Sequence, residues 1–272
     1  MAIGWPMLRS VFSKVVHDQW RIVLGWAAFS AIWPAMYVAL YPSIGSFLNL
    51  QELLDQMPPA IRQMFSMSEL GVGTPEGFLN MELFSFVAPL LIFAYTVSVG
   101  GSATAGEEER ETMDLLLANP VPRWRVIVEK SAAFLLGTIV IGVGMWLGAA
   151  AGAAISGVDL DLGLIAQALT SVVLLGLAFG AFAMALGAIT GRRWVAASIA
   201  LMVAIASFFL NGLGSLVDWL DPWRPVSPFY HYIANDPLVN GLDLSHAMVL
   251  AVLTVLCTAV AVVAFERRDL AR

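Results

Sequence analysis

Enzymatic chemistry needs nucleophiles, bases or metal ligands that converge, and this chain of 272 residues offers few of them. His17, His231 and His246 are its only histidines, and they are scattered. The last two have Asp236 and Asp243 near them in sequence, but the spacing fits no metal template. Cys257 is the only cysteine, which excludes an intrachain disulfide and reads as a small apolar packing residue. The chain has neither a G-x-x-x-x-G-K-[ST] phosphate loop nor a His-Glu-x-x-His pair, so no nucleotide or catalytic metal is expected to bind to it. What is left is the chemistry of docking. Residues 101–130 hold ten charges in a chain that is otherwise almost continuously apolar. An acidic run, Glu107, Glu108, Glu109 and Glu111, suits the positive end of a helix dipole, and Pro120 must stop the helix that follows. Within that helix Met113, Leu116 and Leu117 fall at i, i+3 and i+4, an apolar stripe among carboxylates of the kind that can dock a partner. Arg123, Arg125 and Lys130 then lead into the next apolar run.

The elements that must position this segment are membrane spans. Hydrophobic residues make up 59% of the chain, charged residues 12%, and the mean hydropathy is +0.81; soluble proteins carry about a quarter charged residues. Six runs are long enough to cross a bilayer, at about 20 helical residues per crossing: 22–41, 83–105, 131–155, 164–190, 194–217 and 247–265. None contains Asp, Glu, Lys or Arg. Ion-coupled carriers usually place such groups within the membrane as relays, so their absence weighs against a stand-alone carrier or channel, which stays as the alternative. An intramembrane protease or transferase is disfavoured more strongly, since no nucleophile, base and ligand set meets at one depth.

Orientation follows from the basic residues. Arg9, Lys14 and Arg21 precede the first span; Arg110, Arg123, Arg125 and Lys130 lie between the second and third; Arg192 and Arg193 separate the fourth and fifth; Arg267, Arg268 and Arg272 follow the sixth. Twelve of the 14 Lys and Arg residues thus fall on one side, which the positive-inside rule makes cytoplasmic, with both termini inside. The net charge of -6 comes largely from acidic outer loops and implies no nucleic-acid partner. The first apolar run is too long for a cleaved leader and is expected to stay as a span.

Three stretches carry a resemblance to a known family: the acidic run followed by Thr112-Met113-Asp114-Leu115-Leu116-Leu117-Ala118 and Pro120-Val121-Pro122-Arg123; Ser227-Pro228-Phe229-Tyr230 with Pro237-Leu238-Val239-Asn240-Gly241; and Phe265-Glu266-Arg267-Arg268-Asp269-Leu270. Together with the six-span layout they make nearly the whole chain resemble type-2 ABC transporter permeases. The resemblance implies a single permease domain over residues 1–272 in a plasma or inner membrane. It implies a coupling helix, with Glu107, Glu108, Thr112, Met113, Leu116, Leu117 and Arg123 at the contact with a cytosolic ATPase subunit present in two copies. ATP and Mg would be held by that partner, and a second permease, identical or related, would complete the path. Export is implied by analogy only, and relatives move drugs, peptides, lipids, glycans and ions. Relatives usually have Gly before the Thr where this chain has Glu111, a far better helix former, so the helix is expected to be more continuous here.

The fold expected is therefore an all-α polytopic bundle of six transmembrane helices. An amphipathic helix lying on the inner leaflet is expected over residues 1–21, from the stripe Trp5, Leu8, Val11, Phe12, Val15 and Val16. Two short helices, 48–57 and 60–67, are expected in the longest outer loop, broken by Pro58-Pro59. Gly144, Gly148 and Gly152, and Gly176 and Gly180, form small-residue rows that read mainly as helix packing. For residues 219–246 the resemblance implies short re-entrant or interfacial helices on the outer side, while their Trp and Tyr residues suit an aromatic belt, and the two are compatible. Tyr95, Thr96, Ser98, Ser207 and Asn211 are candidate path-lining groups on the second and fifth spans, although interhelical hydrogen bonding accounts for them equally well.

Overall fold

The computed structural model describes residues 11–47, 74–109, 122–214, 216–233 and 236–267, with the backbone alone at 44–47 and 107–109. Among these residues every regular element is helical, and six helices are long and apolar enough to cross a membrane.

Helix α1 runs unbroken through Val11–Phe47. Its segment 11–21 was expected in a separate interfacial helix, but no Gly or Pro lies between Val11 and Leu24 to break the chain, and the helix continues straight into the span. Residues 1–10 lie outside the described residues. At about 1.5 Å per residue its 37 residues reach roughly 55 Å, well beyond the hydrocarbon core.

Helix α2 comprises Pro75–Leu79, a π-helical stretch Asn80–Val87 and Ala88–Glu109. It begins eight residues before the expected 83 because Thr74 and Pro75 make a strong start. The Thr74 hydroxyl accepts the Gly77 N–H at 3.1 Å, and Pro75 lacks an N–H that would otherwise go unpaired. At its far end α2 continues through Glu107 to Glu109, so the first three acids of the run extend this span. Thr112, Met113, Leu116 and Leu117 lie outside the described residues, as do the two short outer-loop helices expected over 48–57 and 60–67.

Helices α3 (Arg123–Ser156), α4 (Leu162–Thr190), α5 (Arg193–Gly214) and α6 (Leu244–Arg267) follow. Helix α3 starts at Arg123, ahead of the expected 131, since Arg and Lys are good helix formers once a helix leaves lipid. Both α3 and α4 end on a left-handed glycine, Gly157 at φ 69° and Gly191 at φ 64°, whose N–H bonds back to Ala153 and Gly187. Asp161 caps the start of α4 through the Gly163 and Leu164 N–H groups.

Helix α4 is the enclosed centre, packed by α2, α3, α5 and α6. Helix α1 lies outside this group and packs chiefly on α3. The glycine rows make both contacts: Gly144, Gly148 and Gly152 face Ala27, Ala31 and Ala35 of α1, while Gly176 and Gly180 of α4 receive Ile92 and Thr96 of α2. Absent side chains let the backbones approach to contact, which in lipid is a main source of helix association.

Between α5 and α6 the chain forms a 3-10 turn, Asp221–Val226, a short helix, Pro228–Ile233, and a π turn, Asp236–Asn240. Phe229, Tyr232 and Leu238 are buried while Trp219 and Trp223 are largely exposed, so the segment is both a docked plug and an aromatic fringe. Tyr232 donates its hydroxyl to the Phe84 carbonyl at 2.7 Å, and Asn80 donates to Asp236 at 3.2 Å, so the plug is tied to the π-helical start of α2. Burial, and secondarily Asp236, pushes the Tyr232 phenol well above its ordinary pKa, which keeps it a neutral donor. The Ser227 hydroxyl closes the other side on the Ser207 carbonyl of α5.

Candidate functional site: a vestibule at the basic end

The starts of α1, α3 and α5 and the ends of α2, α4 and α6 share one end of the bundle, where the Lys and Arg residues gather. A cavity of about 610 Å³ opens there between α1, α2, α3 and α5. Its walls are helical stripes at three- and four-residue spacing. Helix α1 contributes Val11, Lys14, Val15, Asp18, Gln19, Ile22 and Trp26, and α2 contributes Tyr95, Ser98, Val99, Ser102, Ala103 and Gly106. Lys130 and Phe134 come from α3, and Arg193, Trp194 and Ala197 from α5.

Of the path candidates the structure brings Tyr95 and Ser98 to this cavity. Tyr95 is 1% exposed, its ring packs edge-on to Trp26, and its hydroxyl lies against the bare backbone of Gly137 with no hydrogen-bond partner among the described residues. Thr96, one residue and so about 100° further round α2, faces the glycine row of α4 instead. Ser207 and Asn211 lie about three turns and more beyond the Arg193–Ala197 wall of α5, toward the opposite end, and do not line the cavity. Lys14, Asp18, Trp26, Lys130 and Arg193 were not singled out as lining groups. The signal for them was present in the period of α1 and in the cations placed at span entries.

Two neighbouring residues of α3 fasten this end. Glu129 accepts the Phe12 N–H of α1 at 2.8 Å and the Arg125 Nε–H at 2.7 Å. Its carboxylate thereby satisfies a donor that the first turn of α1 leaves open, at the positive end of that helix. Lys130, only 6% exposed, reaches the other way and donates to the Ala103 carbonyl of α2. A buried ammonium needs acceptors to offset its lost hydration, and the last turns of α2 supply one. Residues 110–121 join α2 to α3 in the chain, so Arg123 and the backbone of Glu107 and Glu108 flank in sequence the stretch that carries the rest of the expected coupling contact.

At the opposite end the structure brings together the two histidines that sequence spacing left apart. His231 Nδ1 and His246 Nδ1 are 2.9 Å apart, and His231 Nε2 lies 2.9 Å from the Pro225 carbonyl. A carbonyl only accepts, so Nε2 of His231 carries the proton; its Nδ1 then accepts from His246. Burial foremost, and the adjacent His246, hold the His231 pKa below its ordinary value, while the Pro225 bond opposes them. The folded state therefore binds this proton less readily than the unfolded chain. Stability from the pair is complete above about pH 6.5 and is lost as pH falls from there through the lowered folded value. Thermal unfolding of the detergent-solubilised chain at pH 7 and pH 5 checks this: the wild type is expected to lose more on acidification than the His231→Asn variant.

Comparison with curated proteins finds no match. Comparison with family models matches residues 9–270 to a family described as ABC-2 family transporter protein. That match takes in all six spans, the four helices that line the vestibule and the plug, so the chain belongs to the ABC-2 transporter family and is a membrane subunit of that kind.

Proposed function

We propose that the chain is the translocating half of an ATP-driven exporter in a cell membrane, paired with a second permease and with two cytosolic ATPase subunits. One observation carries most of this reading: the vestibule opens at the basic end, where Glu129 ties α3 to α1 and Lys130 ties α3 to α2. Basic residues mark the cytoplasmic side, so the cavity is open inward and the α2–α3 connection faces the compartment where an ATPase would sit. ATP binding would draw the ATPase subunits together, and the connection would carry that movement into α2 and α3. Through the Glu129 tie α1 would follow, widening or closing the vestibule by largely rigid-body motion.

The chain itself holds the path and its partner holds the nucleotide. Purified alone, it is expected to hydrolyse ATP no faster than background. Co-expressed with its cognate ATPase, it is expected to elute as an assembly of two permease and two ATPase chains, with hydrolysis restored. Robust hydrolysis by the isolated chain would falsify the division of labour.

A further inference from the structure

His231 and His246 have a geometry that a shared proton alone does not require. Tyr230 packs edge-on against both rings, with centroids at 5.3 and 5.7 Å, and the Pro225 carbonyl takes the Nε2–H of His231 at 2.9 Å. A backbone carbonyl on the far nitrogen is the usual partner of a metal-ligating histidine, because it fixes the tautomer and leaves the other lone pair free. That lone pair, on Nδ1 of His231, faces Nδ1 of His246 at 2.9 Å. Two metal–nitrogen bonds of about 2.0 to 2.1 Å that meet at a right angle place their nitrogens about 2.9 Å apart, whereas a tetrahedral angle places them about 3.3 to 3.4 Å apart. The spacing suits neighbouring corners of a square or an octahedron.

The surroundings admit a small cation. A cavity of about 10 Å³, room for about one water-sized species, borders both rings, Ser171 and Asp243. Asp243 commits its Oδ1 to the N–H and hydroxyl of Ser245, at 2.7 and 2.6 Å, and adds negative charge beside the cavity. Arg224, stacked on Tyr230 at 5.5 Å, is paired with Asp221 at 3.2 Å. Among the described residues no third His, Cys, Asp or Glu completes a ligand set, so the remaining positions fall to water.

We infer that His231 and His246 form a site for a divalent transition-metal ion, copper(II) foremost, held by both Nδ1 atoms in adjacent positions with water completing its coordination. No proton leaves on binding: His246 moves its own from Nδ1 to Nε2, which frees the second lone pair. Copper(II) is favoured over zinc(II) because it takes right-angled nitrogen ligands and stands highest in the order of affinities for such sites. The bound ion joins the Pro228–Ile233 helix to the first turn of α6, and so fastens the plug to the bundle. The site stands apart from the translocation reading, whose cavity lies at the other end of the molecule.

The test uses the full chain in detergent, purified without a polyhistidine tag, stripped with chelator and titrated calorimetrically with copper(II) or zinc(II). One copper(II) per chain is expected, bound at least about tenfold more tightly than zinc(II). Its EPR spectrum is expected to show coupling to two equatorial nitrogens. His231→Asn and His246→Asn are each expected to weaken copper(II) binding about a hundredfold, since the second imidazole acts as a tethered ligand. His17→Asn, which removes the third histidine of the chain, should leave it unchanged. Copper(II) binding that survives both single substitutions marks an adventitious site elsewhere and overturns the inference, and zinc(II) bound as tightly as copper(II) overturns the right-angled geometry. A spectrum with one coupled nitrogen overturns the pair, and because it is read on the unaltered chain, this result stands even if a variant fails to fold.

Discussion

The double variant Leu116→Asp, Leu117→Asp is expected to insert and accumulate normally, yet to lose ATPase binding and transport together. Read as a helix, Met113, Leu116 and Leu117 would form an apolar stripe among carboxylates in the stretch of sequence between α2 and α3. If that face is buried in a groove of the partner, two introduced carboxylates are desolvated there without cations to meet them. Leaving buried charge unpaired at an interface costs about 2 to 5 kcal/mol, equivalent to loss of the complex at ordinary concentrations. Membrane insertion is spared because the segment lies between spans. Glu111→Gly is the matched mild change: it lowers local helix stability by roughly 1 kcal/mol and leaves the stripe in place, so binding should persist with modest weakening. Pull-down of the ATPase by each variant separates them, and unchanged affinity in the double variant would show the stripe to be a solvated face.

The second large effect is expected within the bundle, at Gly148→Val. A Cβ at position 148 falls on the carbonyl and Cα of Ala31, backbone that has no rotamer to change. Gly144 and Gly152 meet Ala27 and Ala35 in the same way, so α1 cannot slide along α3 to relieve one clash without making another. Overpacking of a rigid contact costs on the order of 3 kcal/mol, and β-branching at 148 leaves separation of the two helices as the only relief. The variant is expected to lose its monodisperse peak in detergent and most of its yield. Gly25→Ala provides the control. Nothing lies within 4 Å of its added Cβ, so it reports helix propensity alone and should be neutral or slightly stabilising. Equal behaviour of the two variants would mean that the α1–α3 contact is looser than the structure shows.

Much of this architecture is legible in the sequence because lipid imposes a simple rule. Apolar runs of span length must be helices, and cations sort to one side. The glycine rows are legible for a related reason, since small residues at four-residue spacing have little use in a membrane helix except close approach. What was misplaced were the ends. Hydropathy locates the edge of lipid, whereas a helix stops where a cap or a breaker stops it. Thr74-Pro75 and Pro122 set the starts of α2 and α3, in each case eight residues outside the apolar run. The acidic run fits a helix start by its charge, yet nothing before Glu107 breaks α2, and continuity prevails. Among path candidates, residue type chose Thr96 beside Tyr95, but a helix points consecutive side chains about 100° apart and only one of them faces the vestibule. The histidine pair was beyond reach, since it depends on how two short helices and a π turn fold a stretch of chain back on itself.

The preference of α1 for α3 over α2 bears on how the protein is made. Spans leave the translocation machinery in order, so α1 and α2 are in the bilayer before the surface that α1 recognises exists. Until α3 emerges, Ala27, Ala31 and Ala35 form an open, lipid-facing row, and the amide that Glu129 later caps has only water or headgroups to bond. The first span is therefore stored during synthesis and captured afterwards. Glycines 144, 148 and 152 receive it as α3 inserts, and the opening of the vestibule takes shape only when α5 arrives as its last wall.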